Sequence, residues 1–85
     1  MADHEIALRV SVNGREVTVD VNVSNLLEVI IPKALEKADV KGQPPDRWVV
    51  NDAAGNDLPL KQKITDFNFA PGTLLFLNLK AGIGG

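Results

Sequence analysis

Cysteine is absent from this chain. That excludes disulfide staples, thiolate metal ligands and any thioester formed on the protein's own side chains. Histidine occurs once, as His4, in a polar opening segment where a lone imidazole points to neither metal binding nor catalysis. Positive charge is not in excess: nine Lys and Arg stand against eleven Asp and Glu, for a formal net charge of −2. Nucleic acid and anionic membranes call for a basic face, so neither is expected as the main partner. No apolar run exceeds a few residues, and the start "MADHEIALR" lacks the basic and apolar regions of a signal peptide. A cytoplasmic protein is therefore expected. The acidic residues are scattered without a paired arrangement, and nothing resembles a nucleophile beside its base. The chain is expected to be a substrate of enzymes and not an enzyme, with no catalytic residue, no metal and no cofactor of its own.

What is present suits one small domain: 85 residues, 45% of them apolar. Residues 1–5 are expected to fray, 6–80 to fold, and 81–85 to form a flexible tail. "IALRVSVNGREVTVDVNV" alternates cleanly on both sides of Asn13-Gly14, a dipeptide suited to the type I′ turn of a tight hairpin. Counting outward from that turn sets Val10 opposite Val17, Leu8 opposite Val19 and Ile6 opposite Val21 on one face. Ser11, Arg9 and Ala7 then meet Glu16, Thr18 and Asp20 on the other. "SNLLEVIIPKALEKADVKG" reads as a helix, with Ser24 as N-cap, Leu27, Ile31, Ala34, Leu35 and Ala38 at helical spacing, and Gly42 as the stop. Pro32 either kinks this helix or marks the first turn of a shorter one. "GQPPD" must turn, "RWVV" reads as a short strand and "NDAAGND" as a polar turn. "LPL" suits a short edge piece, and "KITDFNFAPG" a compact connection anchored by Ile64, Phe67 and Phe69. "TLLFLNLK" reads as a central strand buried on much of both faces.

Hairpin, helix, proline turn, short strands and a last apolar strand follow the order of a β-grasp domain. Over nearly the whole chain the sequence resembles ubiquitin and its relatives. "PPD" (Pro44 to Asp46) is similar to the turn after ubiquitin's helix, and "AGNDL" (Ala54 to Leu58) to its third-to-fourth strand turn. "ITDFNF" (Ile64 to Phe69) is similar to the loop before its last strand, and the final "GG" to its processed tail. The resemblance implies an α+β fold: a mixed four- to five-stranded sheet with one main helix across one face, and with the first and last strands parallel neighbours. The tight Asn13-Gly14 turn, the longer helical segment with Pro32 and the arginine-free tail "KAGIGG" depart from ubiquitin. They point to a bacterial ubiquitin-like modifier similar to the multiubiquitin type of domain.

What the resemblance implies for function centres on the tail. The carboxylate of Gly85 would be adenylated by a partner activating enzyme using Mg-ATP, passed to a partner cysteine as a thioester, and conjugated to an amine of a target protein. Implied partners are an activating enzyme, a conjugating enzyme, a processing or deconjugating protease, and the targets. Gly84 and Gly85 suit this chemistry because a Cβ on either would crowd the approach to the carbonyl. With glycine at about 7% of average composition, a terminal pair arises by chance in roughly 1 in 200 chains. Lys80, Ala81, Gly82 and Ile83 would form the rest of the partner-binding tail. Leu74 and Phe76 are expected to face outward, with Leu75, Leu77 and Leu79 toward the helix. If Val49 points inward, Trp48 and Val50 join Phe76 and Leu74 in an apolar docking patch; the competing reading has Trp48 covering the core. A sulfur carrier ending in a thiocarboxylate, or an interaction module that is never conjugated, would share the same fold.

Overall fold

The computed structural model describes residues 4–40 and 44–80. The hairpin forms as its alternation dictates. β1 (Glu5–Val12) and β2 (Arg15–Asn22) pair antiparallel, with Val10 opposite Val17, Leu8 opposite Val19 and Ile6 opposite Val21. Asn13 and Gly14 both take positive φ, 53° and 83°, which is the type I′ geometry. β1 begins at Glu5, inside the segment expected to fray.

The helical segment is shorter than its periodicity implies. A 3₁₀ turn over Leu27–Val29 leads into α1 (Ile30–Lys37), so Pro32 sits in the first turn, where a missing N–H costs least. Ser24 is not the N-cap. Its Oγ donates to Asn22 Oδ1 at 2.6 Å, and its N–H bonds the same oxygen at 2.9 Å. The opening N–H groups are satisfied from across the chain instead: Leu27 donates to the Gln62 carbonyl at 2.8 Å, and Glu28 to that of Leu60 at 3.1 Å. The stop also comes earlier than Gly42, which lies outside the described residues. Asp39 adopts φ 60°, and the Val40 N–H returns to the Leu35 carbonyl at 2.9 Å in a Schellman closure. Lys37 lies in the last turn, where the helix dipole favours a cation.

Beyond α1, a 3₁₀ turn at Pro45–Arg47 precedes β3 (Trp48–Asn51), and another at Ile64–Phe67 precedes β4 (Leu74–Leu79). "LPL" does not form a strand. Leu58 donates to the Val50 carbonyl at 2.8 Å, Asn51 and Asp57 make an isolated bridge, and the pairing ends at Pro59, which has no N–H to offer. The sheet order is β2-β1-β4-β3. β4 runs parallel to β1 and antiparallel to β3, as expected of the last strand.

One face of this mixed four-stranded sheet carries the core. Leu8 and Val10 of β1, Val19 and Val21 of β2, and Leu75 and Leu77 of β4 pack in one cluster with Leu27, Ile30, Ile31, Ala34 and Leu35. Ile64 is buried with them, while Phe67 and Phe69 stack on each other at 5.1 Å as partly buried flanks. β4 is fully buried only at Leu75 and Leu77. Leu79, expected to point toward the helix, is 46% exposed at the last rung of the ladder.

Candidate functional site

The residues expected to meet partners fall in two regions: the open face of the sheet and the end of β4. Backbone pairing fixes which side chains share the open face. Leu74 lies beside Arg9 and Phe76 beside Ser11 in the parallel β1–β4 ladder. On the other side, Phe76 faces Asn51, and Asn78 faces Val49. Leu74, Phe76 and Val49 are half-buried and form a short apolar strip between polar neighbours.

Trp48 and Val50 do not belong to this strip. They are 1% and 0% exposed and lie in the core, so the patch expected from Phe76, Leu74, Trp48 and Val50 is corrected at its last two members. Strand alternation gives the reason. Trp48 and Val50 are paired with Leu79 and Leu77, and they share the helix-side face with Leu77. The residues of β3 on the open side are Val49 and Asn51. A signal for this was present in the sequence, because turning Val49 inward would also turn the polar Asn51 inward. The Trp48 indole N–H finds no acceptor in its buried position.

Polar contacts hold the strip's surroundings in place. Asn78 donates from Nδ2 to Asn51 Oδ1 at 2.6 Å, and Asn51 donates in turn from Nδ2 to Asp57 Oδ1. This amide chain links β4, β3 and the following turn beside Phe76. Asn51, Asp52, Ala53, Gly55, Phe76 and Asn78 line a shallow depression there. Asp52 closes the turn itself: its Oδ1 accepts from the Asn56 N–H at 2.9 Å and the Ala54 N–H at 3.0 Å. The Asn56 backbone bond, foremost among these, holds the Asp52 carboxyl below the usual aspartate range. At the opposite end Arg9 spans the face, with Nε on the Gly72 carbonyl at 2.9 Å and Nη1 on Glu16 Oε2 at 3.1 Å.

β4 ends at Leu79, and Lys80 follows it. Lys80 is exposed, and its N–H donates to the Arg47 carbonyl at 2.8 Å, beside the start of β3. Ala81, Gly82, Ile83, Gly84 and Gly85, expected to carry the conjugation chemistry, lie outside the described residues. Lys80 also borders a groove of about 630 Å³, lined by Leu26, Val29, Ile31, Pro32 and Leu60. Lys61 and Glu28 pair on its rim at 2.8 Å. Among the described residues no group of three or more His, Asp or Glu side chains could hold a metal ion, and His4 is exposed. No helix among them is long and apolar enough to cross a membrane.

Comparison with known proteins agrees with this geometry. A protein designed de novo on the basis of ubiquitin superimposes with a TM-score of 0.76, at 26% identity over 95% of each chain. The sheet order and the single packed helix are thus those of the ubiquitin-like β-grasp fold. The uncharacterised protein y4jI of Sinorhizobium fredii is 42% identical over 81 residues, covering 95% of this chain. The present chain spans 62% of that relative's length. The model of the family described as "Protein of Unknown function (DUF2604)" matches residues 1–85, so the chain belongs to the DUF2604 family and builds it on a ubiquitin-like fold.

Proposed function

We propose that this chain is a ubiquitin-like protein modifier, joined through the carboxylate of Gly85 to amines of target proteins. One conjunction supports the reading. The fold matches a ubiquitin-based design across 95% of the chain, and its central last strand hands the backbone, at exposed Lys80, to Ala-Gly-Ile-Gly-Gly. The chemistry requires that Gly85 bear a free carboxylate, whether encoded last or exposed by a protease. A carboxylate oxygen attacks the α-phosphorus of ATP held with Mg²⁺ by the activating enzyme, and pyrophosphate leaves. A thiolate of that enzyme attacks the resulting acyl carbon and displaces AMP. The thioester passes to a conjugating enzyme by thiol exchange, and an amine of the target then displaces the thiolate, losing a proton as the amide forms. Gly84 and Gly85 leave the carbonyl uncrowded at each attack. The strip of Val49, Leu74 and Phe76 supplies the docking surface that holds the domain while its tail reaches into a partner's active site.

The test is reconstitution with a cognate ATP-dependent activating enzyme, supplied with Mg-ATP. Pyrophosphate release and a thiol-sensitive adduct on an enzyme cysteine are expected. Deleting Gly84 and Gly85 should abolish both without lowering stability. Gly85→Ala should slow them sharply. Peptide mass analysis of the product should find Gly85 in an amide bond to another protein. A terminal thiocarboxylate would instead assign a sulfur carrier, and full activity without the two glycines would exclude both chemistries.

A further inference from the structure

The sheet ends on two very different edges. β3 is four residues long, and its outer side is met by the Leu58 N–H and the Asn51–Asp57 bridge. β2, at the other end, runs for eight residues and is paired only with β1. Val12 and Arg15 flank the two-residue turn and exchange hydrogen bonds, so Val17, Val19 and Val21 do the same in alternation. The N–H and C=O groups of Glu16, Thr18 and Asp20 therefore point away from the sheet. Among the described residues none of them meets a backbone partner. β2 has no proline, glycine or lysine, and its register with β1 is unbroken by a bulge. The usual protections of an exposed edge are thus missing, apart from acidic charge.

The two sides of this edge differ in charge. On the helix side Val17 is half-buried and Val19 buried, and Lys33, Glu36 and Lys37 of α1 line a trough beside Val19 and Asp20. Arg15 Nη1, bonded to the Ala38 carbonyl at 3.1 Å, ties the hairpin end of β2 to the end of α1. On the open side stand Glu16, held by Arg9, then Thr18 and Asp20. We infer that the β2 edge is a docking site for an extended segment of a partner protein, which joins the sheet as a fifth strand. Its helix-side residues are aliphatic and carboxylate, to meet the valines and the Lys33–Lys37 pair. Its open-side residues are threonine and basic, to meet Thr18 and Asp20. A second copy of this chain does not fit. Antiparallel pairing of two β2 strands about Thr18 would set Glu16 of each against Asp20 of the other. This surface is separate from the Phe76 strip and stands whether or not Gly85 is conjugated.

The probe is the synthetic peptide Lys-Val-Thr-Val-Thr-Asp-Lys-Asp, titrated to millimolar concentration into the isotope-labelled full chain. Amide shifts and slowed hydrogen exchange are expected at Glu16, Thr18 and Asp20. A charge-swapped peptide, with glutamate for lysine and lysine for aspartate, should bind about tenfold more weakly. Thr18→Pro removes one outward N–H that the β1 ladder does not use, and should abolish binding with the fold intact. The double variant Lys33→Glu/Lys37→Glu changes only exposed helix residues and should narrow or reverse the preference between the two peptides. Absence of shifts at the three outward amides would overturn the inference. So would shifts confined to Val49 and Phe76, equal binding of both peptides, or sedimentation showing a dimer lost in Thr18→Pro.

Discussion

Leu77 and Leu79 offer a matched pair, since the same three-carbon deletion should be costly at one and nearly neutral at the other, two residues along the same strand. Leu77 is 2% exposed and lies between Val12 of β1 and Val50 of β3, both buried. Truncation to alanine removes three carbons, worth about 2.4 kcal/mol at ~0.8 kcal/mol each. The unfilled space adds a cavity term, bringing the expected loss to about 3–4 kcal/mol within the usual ~2–5 kcal/mol range. A domain of this size has total stability on the order of 4–13 kcal/mol, so Leu77→Ala should fold with little margin. Its melting temperature should fall by about 12–30 °C. Leu79, 46% exposed, should lose at most about 0.5 kcal/mol. Urea titration followed by fluorescence of buried Trp48, the single tryptophan, reads both variants. The midpoint for Leu77→Ala should drop by about 2 M with an unchanged slope. Equal losses in the two variants, or a Leu77→Ala midpoint at the parent value, would refute the assignment of faces on β4.

Phe76→Ala should leave the melting temperature within a few degrees of the parent but weaken binding to an activating or conjugating partner, as measured by titration calorimetry; severe unfolding with normal binding would place Phe76 in the core. Protonation of Asp52 should loosen the turn at Asp52–Asn56. Its folded carboxyl titrates below the ordinary aspartate value, so the stabilising contacts persist above that value and are lost as pH falls through the lowered one. Hydrogen exchange at the Asn56 amide should therefore accelerate only in that acid range, and Asp52→Asn should flatten the dependence. Gly14→Ala meets no atom within 4 Å of the new Cβ but must hold φ at +83°, so a loss of about 1–2 kcal/mol is expected by chemical denaturation.

The hairpin was legible because two independent signals agree on it: the Asn13-Gly14 turn and the valine alternation each define the same register. The helix was legible through its apolar spacing but not at its ends. Ser24 has the right chemistry for a cap, yet Asn22 captures its hydroxyl, and the carbonyls that replace it come from Leu60 and Gln62. No local pattern announces such a remote pair of acceptors. Gly42 is the residue type most at home in a helix stop, but Asp39 takes the left-handed conformation first. On β3 the alternation spans only four residues, so its one sequence signal was the polar Asn51 two positions after Val49, and the pairing with β4 makes the facing plain. The candidate site was accordingly half legible: Leu74 and Phe76 lie on the open face, while Trp48 and Val50 give way to Val49 and Asn51.

The capping, from Leu60 and Gln62, of the 3₁₀ turn that leads into α1 has a kinetic consequence. Leu26 also bridges Lys63, and the Ile64 and Thr65 N–H groups return to the Asn25 and Val23 carbonyls. The 3₁₀ turn that opens the helical segment is thus completed by chain synthesised more than thirty residues later. Ordering it requires closing a long loop, an entropic cost that local propensity cannot offset. Substitutions at Leu60 or Ile64 should therefore act mainly on unfolding rates if this docking forms after the transition state, and on folding rates if it belongs to the nucleus. Stopped-flow kinetics of Ile64→Val separates the two. Either way, a ribosome releasing this protein cannot finish its helix until the segment before the last strand has emerged.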